Sequence, residues 1–336
     1  MKVLHVANFS LWKFGRRFYT IDRKLSLGLA ELGHFVYDFS YRDVARHLSV
    51  FRAKSMGARA MNRALLDTVK ALSPDLLLLG HSELVFPETL AEIRRAFPGL
   101  KMAMWFVDPL IERNAQHIRS KIPHLDAFFA TTAGELLSQF RGDGAAKLSY
   151  LPNLCHVGIE SGRAFEVDDP AYEFSFVGSP TPEREDLLAT IRKAIPGLRS
   201  AIHGLADGSQ IEGADYLLLL SQSAMALNFS RDNDVLLYSS DRLVQLLGSG
   251  CLVFTPPIPG LDDLFTRNEL VRFESVDELC SLIHFYRDNP SSRKRIAEAG
   301  HSRAHRSFSA RCGAAYILDF LADRDLSAYC WARYRY

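Results

Sequence analysis

Two rhythms alternate along the chain. Short apolar runs of four to six residues are followed by stretches whose apolar positions recur with helical spacing, and the pair repeats from end to end. VLHVA (3–7) reads as a first strand; Ile21, Leu25, Leu27, Leu29 and Leu32 then mark a helix that stops at Gly33. HFVYDFS (34–40) reads as a strand, 57–72 as a helix ended by Pro74, and DLLLLG (75–80) as a strand apolar on both faces. A helix after Pro87, the strand KMAMWFVD (101–108), a further helix, the strand DAFFATT (126–132), a helix at 133–141 and the strand KLSYLPN (147–153) complete the first half. The second half repeats the pattern: FSFVGS (174–179), a helix from Pro182, RSAIHG (199–204), a helix running into a strand across DYLLLLSQSAMALNFS, then SSDRLVQLLGSGCLVFT, ELVRFES (269–275) and two helices from about 276 and 291.

Repeated βα units with short connections predict doubly wound, mostly parallel sheets. A chain of 336 residues suits two such domains. The expected division is a first domain over 1–155, a polar junction at 156–173, a second domain over 174–310, and a tail at 311–336 packing back across both lobes. Two Rossmann-like lobes facing a central cleft are the expected architecture, and fold alone does not give function.

Composition narrows the classes. Apolar content of 48% and charged content of 24% are ordinary for a globular protein. The longest aliphatic runs are far shorter than the roughly 20 residues a bilayer span needs. The opening MKVLHVANFS reads as a strand rather than a leader, which gives the expectation of a cytoplasmic protein. Five scattered cysteines without a CxxC spacing suggest neither a disulfide framework nor a zinc site. Net charge is +1, yet residues 1–70 hold 13 Lys/Arg against 5 Asp/Glu. That basic segment fits an anionic partner or a solvated basic face.

The chemistry concentrates in the second half. Ser239-Ser240-Asp241 opens a short helix, and free N–H groups at a helix start attract phosphate. Arg242 adds a forked cation. FSFVGS leads through Gly178, Ser179, Thr181 and Pro182 to Arg184, a second strand-to-helix junction with hydroxyls, a glycine and an arginine. Two such junctions in one sheet make a diphosphate clamp at the strand ends, although any α/β protein caps helices in the same way.

FSFVGS with Arg184, ALNFSRDND (226–234), SSDRLVQLLGSGCLVFTPPIPGLDDLF (239–265) and the closing stretch 269–309 together resemble the CgeB-like glycosyltransferases, a GT-B group related to glycosyltransferase family 1. WFVDP (105–109) and 126–153 extend the resemblance into the first half. The resemblance implies transfer of a sugar from a UDP-, GDP-, dTDP- or CMP-linked donor to an acceptor, with no tightly bound cofactor and no metal. It places donor contacts on Gly178, Ser179, Arg184, Asn228, Ser240, Arg242, Gln245 and Asp262. Related retaining enzymes carry two glutamates eight positions apart; here those positions hold Leu237 and Gln245, and Gln can bond a hydroxyl but brings no charge. The Asp232-Asn233-Asp234 run could offer oxygen ligands to Mg²⁺, but helix dipoles and arginines are expected to neutralise the diphosphate instead.

An acceptor hydroxyl needs a general base. Asp108 ends one strand and His81 follows another, with Glu83 close by; an N-cap and a structural loop histidine are their respective alternatives. SLWKFGRRF (10–18) supplies Gly15, Arg16 and Arg17 as acceptor contacts. An anionic glycan or glycolipid acceptor, peripheral association with the inner face of a membrane, and no nucleic acid are the expected partners. A non-catalytic GT-B-like protein that binds a glycan or partner enzyme is the alternative reading. A nucleotide-sugar epimerase would share the fold, whereas a dinucleotide oxidoreductase lacks its GxGxxG.

Overall fold

Four consecutive leucines, 76–79, are satisfied only in the middle of a sheet covered on both faces, and all four are fully buried there. The computed structural model describes residues 1–205 and 209–336, the side chains of 112–114 excepted. In chain order the first unit contains β1 (Lys2–Ala7), α1 (Ile21–Glu31), β2 (Phe35–Ser40), α2 (Tyr41–His47), α3 (Ala58–Leu72), β3 (Leu76–Leu79), α4 (Pro87–Ala96), β4 (Lys101–Phe106), α5 (Glu112–Arg119), β5 (Ala127–Ala130), α6 (Glu135–Ser138) and β6 (Lys147–Tyr150). The sheet runs β2-β1-β3-β4-β5-β6 and every one of these pairs is parallel. Winding reverses between β1 and β3. Loops leaving the carboxyl ends of those two strands therefore diverge and leave a crevice. Gly80 and His81 stand at its edge.

The second unit contains β7 (Tyr172–Val177), α7 (Pro182–Ala194), β8 (Ser200–His203), α8 (Ala214–Ser221), β9 (Ser223–Leu227), α9 (Arg242–Gly248), β10 (Leu252–Thr255), β11 (Val271–Arg272), α10 (Val276–Asp288) and α11 (Pro290–Ser307). Its sheet runs β11-β10-β9-β7-β8, again parallel throughout. Here the reversal lies between β7 and β9, so the loops 178–181 and 228–241 leave the crevice of this unit. Buried Phe174, Phe176, Met225, Leu252 and Phe254 fill its core. Both sheets belong to the doubly wound α/β class that the alternation predicts.

Three details differ from the sequence reading. Residues 156–173 are built into the second unit and do not form a separate junction. The Glu160 carboxylate accepts from the His156 N–H at 2.8 Å, Ala164 N–H donates to the Ser249 carbonyl at 3.0 Å, and Phe165 enters the core. Such single contacts leave no periodicity to read. α2 follows β2 without a loop; Tyr41 is its buried anchor, and no glycine or proline announces the change. Finally, the tail belongs to the first unit. Its helix α12 (Ala310–Leu321) packs on α1, and residues 334–336 pair antiparallel with β6, with Tyr150 N–H donating to Tyr334 O and Tyr336 N–H to Leu148 O, each at 2.9 Å. This covers a strand edge that would otherwise expose unpaired amides.

The α1–α12 contact depends on Gly28, where any Cβ would overlap the Ala310 backbone carbonyl. Alanine normally gains about 1 kcal/mol over glycine inside a helix. Gly28→Ala is expected to lose about 1–3 kcal/mol instead, because overpacking outweighs propensity. Gly99→Ala, with open space around the new methyl, should be near neutral; urea denaturation of both variants checks the difference.

Candidate functional site

At the switch point of the second unit two arginines converge. Arg184 lies in the first turn of α7, whose N-cap Thr181 accepts the Arg184 N–H at 3.3 Å. Its side chain is 4% exposed. The guanidinium donates twice to the Phe229 carbonyl, at 3.1 and 2.7 Å, and once to the Ser179 carbonyl at 2.7 Å. Arg242 begins α9 and donates to Val177 O at 2.8 Å, to the same Phe229 carbonyl at 3.1 Å, and to the Ser240 hydroxyl at 3.4 Å. Both cations lie over the Phe176 ring, 5.7 and 5.1 Å from its centroid. Among the described residues, carbonyls and one hydroxyl accept these hydrogen bonds, not carboxylates. Burial, then the neighbouring Arg242 charge, lowers Arg184 to about 10; burial lowers Arg242 as well.

Gly178 is the joint of this arrangement. A Cβ there would stand 2.7 Å from the Arg242 Nη2 and 2.8 Å from the Phe176 ring. Gly204, with φ +83°, lies close enough that a Cβ on it would come within 2.7 Å of the Gly178 carbonyl. A slot of about 340 Å³ opens along the same strand ends, lined by Phe229, Pro256, Pro257, Phe273, Glu183 and Leu187 among others. Its lining is mostly apolar, and the carboxylates Glu183, Asp186 and Glu274 stand around it.

The structure thus groups Gly178, Ser179, Arg184, Ser240 and Arg242. It turns three other candidates elsewhere. Asn228 is fully buried and donates to the Thr255 hydroxyl at 3.0 Å. Gln245 uses both ends of its amide inside the fold, accepting from Tyr216 OH at 2.7 Å and donating to Asp241 at 2.9 Å. Asp262, 78% exposed, pairs with Arg272. The N-cap of α9 is Asp241, without a side-chain cap bond, and neither serine takes that role. Asp232 and Asn233 close a turn through their own backbone neighbours, Asp234 N–H and Ser230. Among the described residues no group of three or more His, Cys, Asp or Glu is placed to hold a metal ion. Phe176 and the Phe229 carbonyl were not legible as parts of the site; the alternation in FSFVGS marks Phe176 only as core.

At the switch point of the first unit, the His81 imidazole stacks on Phe106 at 4.6 Å and its Nε2 lies 3.7 Å from Asp108 Oδ2. Asp108 is mostly exposed and His81 mostly covered. The His81 and Ser82 carbonyls are held from behind: His117 Nε2 is 3.3 Å from His81 O, and Lys121 Nζ donates to Ser82 O. Lys121 is fully buried, and that burial lowers it to about 7. Burial alone would raise the Glu83 carboxyl; hydrogen bonds from Arg42, at 2.6 Å, and Tyr41 outweigh it and hold Glu83 at about 2. Asp22, unremarked in the sequence, joins this cluster. It accepts from Asn8 N–H at 3.3 Å, and a Cβ on Gly80 would come within 2.9 Å of its Oδ1. Gly15 (φ +85°), Arg16 and Arg17 stand in the exposed loop after β1.

Residues 184–319 match the family model described as glycosyl transferase-like. Among curated proteins, none matches the sequence. Among solved structures the chain resembles sucrose-phosphate synthase from Thermosynechococcus elongatus, with a TM-score of 0.63 at 12% identity over 96% of this chain and 98% of that one. It also resembles Anabaena HepE in complex with UDP-glucose, TM-score 0.54, 13% identity, 96% and 100% covered. A glycosyltransferase from Rickettsia africae gives 0.55 at 11% identity, 96% and 98% covered. The chain has the GT-B fold class, two parallel-sheet α/β domains of six and five strands, and carries a glycosyltransferase-like domain.

Burial raises the Asp22 carboxyl to about 6, against the pull of the His81 charge and the Asn8 N–H. The folded state then holds this proton more tightly than the unfolded chain, whose ordinary value is 3.8. Stability from this group is therefore greatest in acid and falls as pH rises through about 4 to 6. Asp22→Asn keeps an acceptor for Asn8 and removes the charge. It should gain about 2 kcal/mol at neutral pH and flatten stability across that window, as read by urea titrations at several pH values.

Proposed function

We propose that the chain is a glycosyltransferase of CgeB-like kind that moves a sugar from a nucleoside-diphosphate donor to an anionic glycan or glycolipid-type acceptor, without a required metal. The observation that carries this reading is the pair of guanidiniums, Arg184 buried and Arg242 half-buried, sharing one carbonyl at the β7/β9 switch point. Two like charges held together in a desolvated place favour a ligand carrying at least two negative charges. The start of α7 adds backbone N–H groups of the same polarity. The apolar slot beside Phe229 fits a nucleobase. HepE, which shares the fold, has been crystallised with UDP and with UDP-glucose, which favours uridine among the candidate bases.

In the reaction, the bond between the anomeric carbon and the β-phosphate oxygen breaks while the acceptor oxygen bonds that carbon. Charge develops on the leaving diphosphate, and Arg184 and Arg242 stabilise it. The acceptor hydroxyl loses its proton to His81, with Asp108 holding the imidazolium that forms. Arg16 and Arg17, at Gly15, attract the acceptor's charge. The alternative of a non-catalytic binder draws on Gln245, whose amide is occupied by Tyr216 and Asp241; hydrolysis or transfer of a nucleotide sugar separates the two.

Thermal-shift titration with UDP, GDP, dTDP, CMP and their sugars tests the donor. Arg184→Met and Arg242→Met should each weaken nucleoside-diphosphate binding about 10- to 100-fold, the scale of a lost charge-assisted hydrogen bond or two. Transfer should persist in chelator, because arginines supply the positive charge. His81→Ala should lower turnover about 100-fold or more with donor affinity unchanged; full turnover in both His81→Ala and Asp108→Asn would remove the base assignment.

A further inference from the structure

Large hydrophobic side chains normally avoid water, and a cluster of them on a surface marks something that covers it. The first unit exposes such a cluster on two loops. In the loop after β1, Phe14 is 92% exposed, with Leu11 and Trp12 exposed beside it. In the loop after α2, Val50 is 94% and Phe51 73% exposed, followed by Met56. Both loops are fixed to α2. Leu11 N–H donates to Asp43 at 2.9 Å and the Arg46 guanidinium lies 5.0 Å over the Trp12 ring. The second loop leaves the end of α2 and returns against it, so that a Cβ on Gly57 would overlap the Ala45 carbonyl. The apolar tips therefore share one region of the surface and are carried by a folded base.

The polar residues among them are of one sign. Segments 10–18 and 48–57 contain five Lys or Arg and no Asp or Glu. The nearest carboxylates are already engaged: Asp43 by Ser40, Leu11 N–H and Arg46, and Glu83 by Tyr41, Arg42 and Lys54. Aromatic and aliphatic tips interleaved with cations match the boundary of an anionic bilayer, where rings enter the acyl layer and long basic side chains reach lipid phosphates. A second copy of the chain fits poorly. In a twofold pair this patch would face itself and bring ten cations together with no carboxylate from these segments.

We propose that these two loops form a docking surface for anionic phospholipid bilayers. Lys54 connects it to the candidate catalytic loop, since its Nζ is 3.3 Å from Glu83, two residues beyond His81. Docking would thus hold the His81 loop at the lipid surface, which deepens the proposed function by naming a lipid-borne acceptor. The contact itself needs neither donor nor transfer.

Flotation of the full chain with vesicles tests it, using phosphatidylcholine alone and phosphatidylcholine mixed with phosphatidylglycerol. Binding to the anionic vesicles should exceed binding to the neutral ones by about tenfold and decline with added salt. A Phe14→Ser, Val50→Ser, Phe51→Ser triple variant should lose about tenfold or more. Lys13→Gln with Arg52→Gln should lose the preference for anionic lipid. Unchanged thermal stability and UDP-induced shift certify that the variants are folded. Absence of vesicle binding by the wild type, equal binding to both vesicle types, or full binding by the triple variant would overturn the proposal. So would a dimer in sedimentation that the triple variant converts to monomer. None of those outcomes touches nucleotide binding, so failure here is distinct from failure of the transferase reading.

Discussion

Arg184 and Arg242 both donate to the Phe229 carbonyl, and like charges held that close repel. The rest of the second unit is arranged to tolerate this. Main-chain oxygens of Val177, Ser179 and Phe229 replace the lost water, and the Phe176 face offers its negative quadrupole to both cations. Gly178 has to be glycine because Arg242 and Phe176 occupy the space of a side chain. Burial, then the neighbouring Arg242 charge, acts against the Arg184 cation and lowers it to about 10. Two partly desolvated like charges with no carboxylate hydrogen-bonded to either are costly to hold together. In the proposed function a dianionic ligand offsets that cost.

The first unit applies the same topology to different chemistry. Its switch point holds carboxylates and an imidazole, with the Arg42 guanidinium bonded to Glu83. Asp22 is pressed against Gly80 on one side of the crevice, and Asp108 reaches the outer edge of His81. Buried Lys121, with His117, fixes the carbonyls of the loop that presents His81. Ser82 adopts a left-handed backbone there (φ 51°), sparse for a non-glycine residue, and its hydroxyl donates to Val6 O. A strained loop tied down from behind keeps the His81 side chain, the proposed base, in one place.

The strands and the longer helices were legible because burial on both faces writes itself as unbroken apolar runs, as in Leu76–Leu79, and helical burial as spaced leucines, as in α1 and α3. Junctions were legible where glycine, proline or a capping hydroxyl marked them, which is how Gly178, Thr181 and Arg184 stood out. Local signals do not report partners distant in sequence. Gln245 has the chemistry to bond a sugar hydroxyl, and only the fold shows Tyr216 and Asp241 taking both ends of its amide. Asp22 looks like any first-turn acid until β3 brings Gly80 against it. The segment 156–173 has glycines and a proline but no periodicity, and α2 has no punctuation, because each is held by a few specific contacts instead of a repeating face.

A structure determined with UDP bound tests the central claim most directly. The phosphate oxygens are expected within hydrogen-bond distance of the Arg184 and Arg242 guanidiniums and the backbone amides of 178–184, with the uracil in the slot beside Phe229. Phosphates bound elsewhere in the chain, or held through a cation with both arginines unengaged, would contradict it.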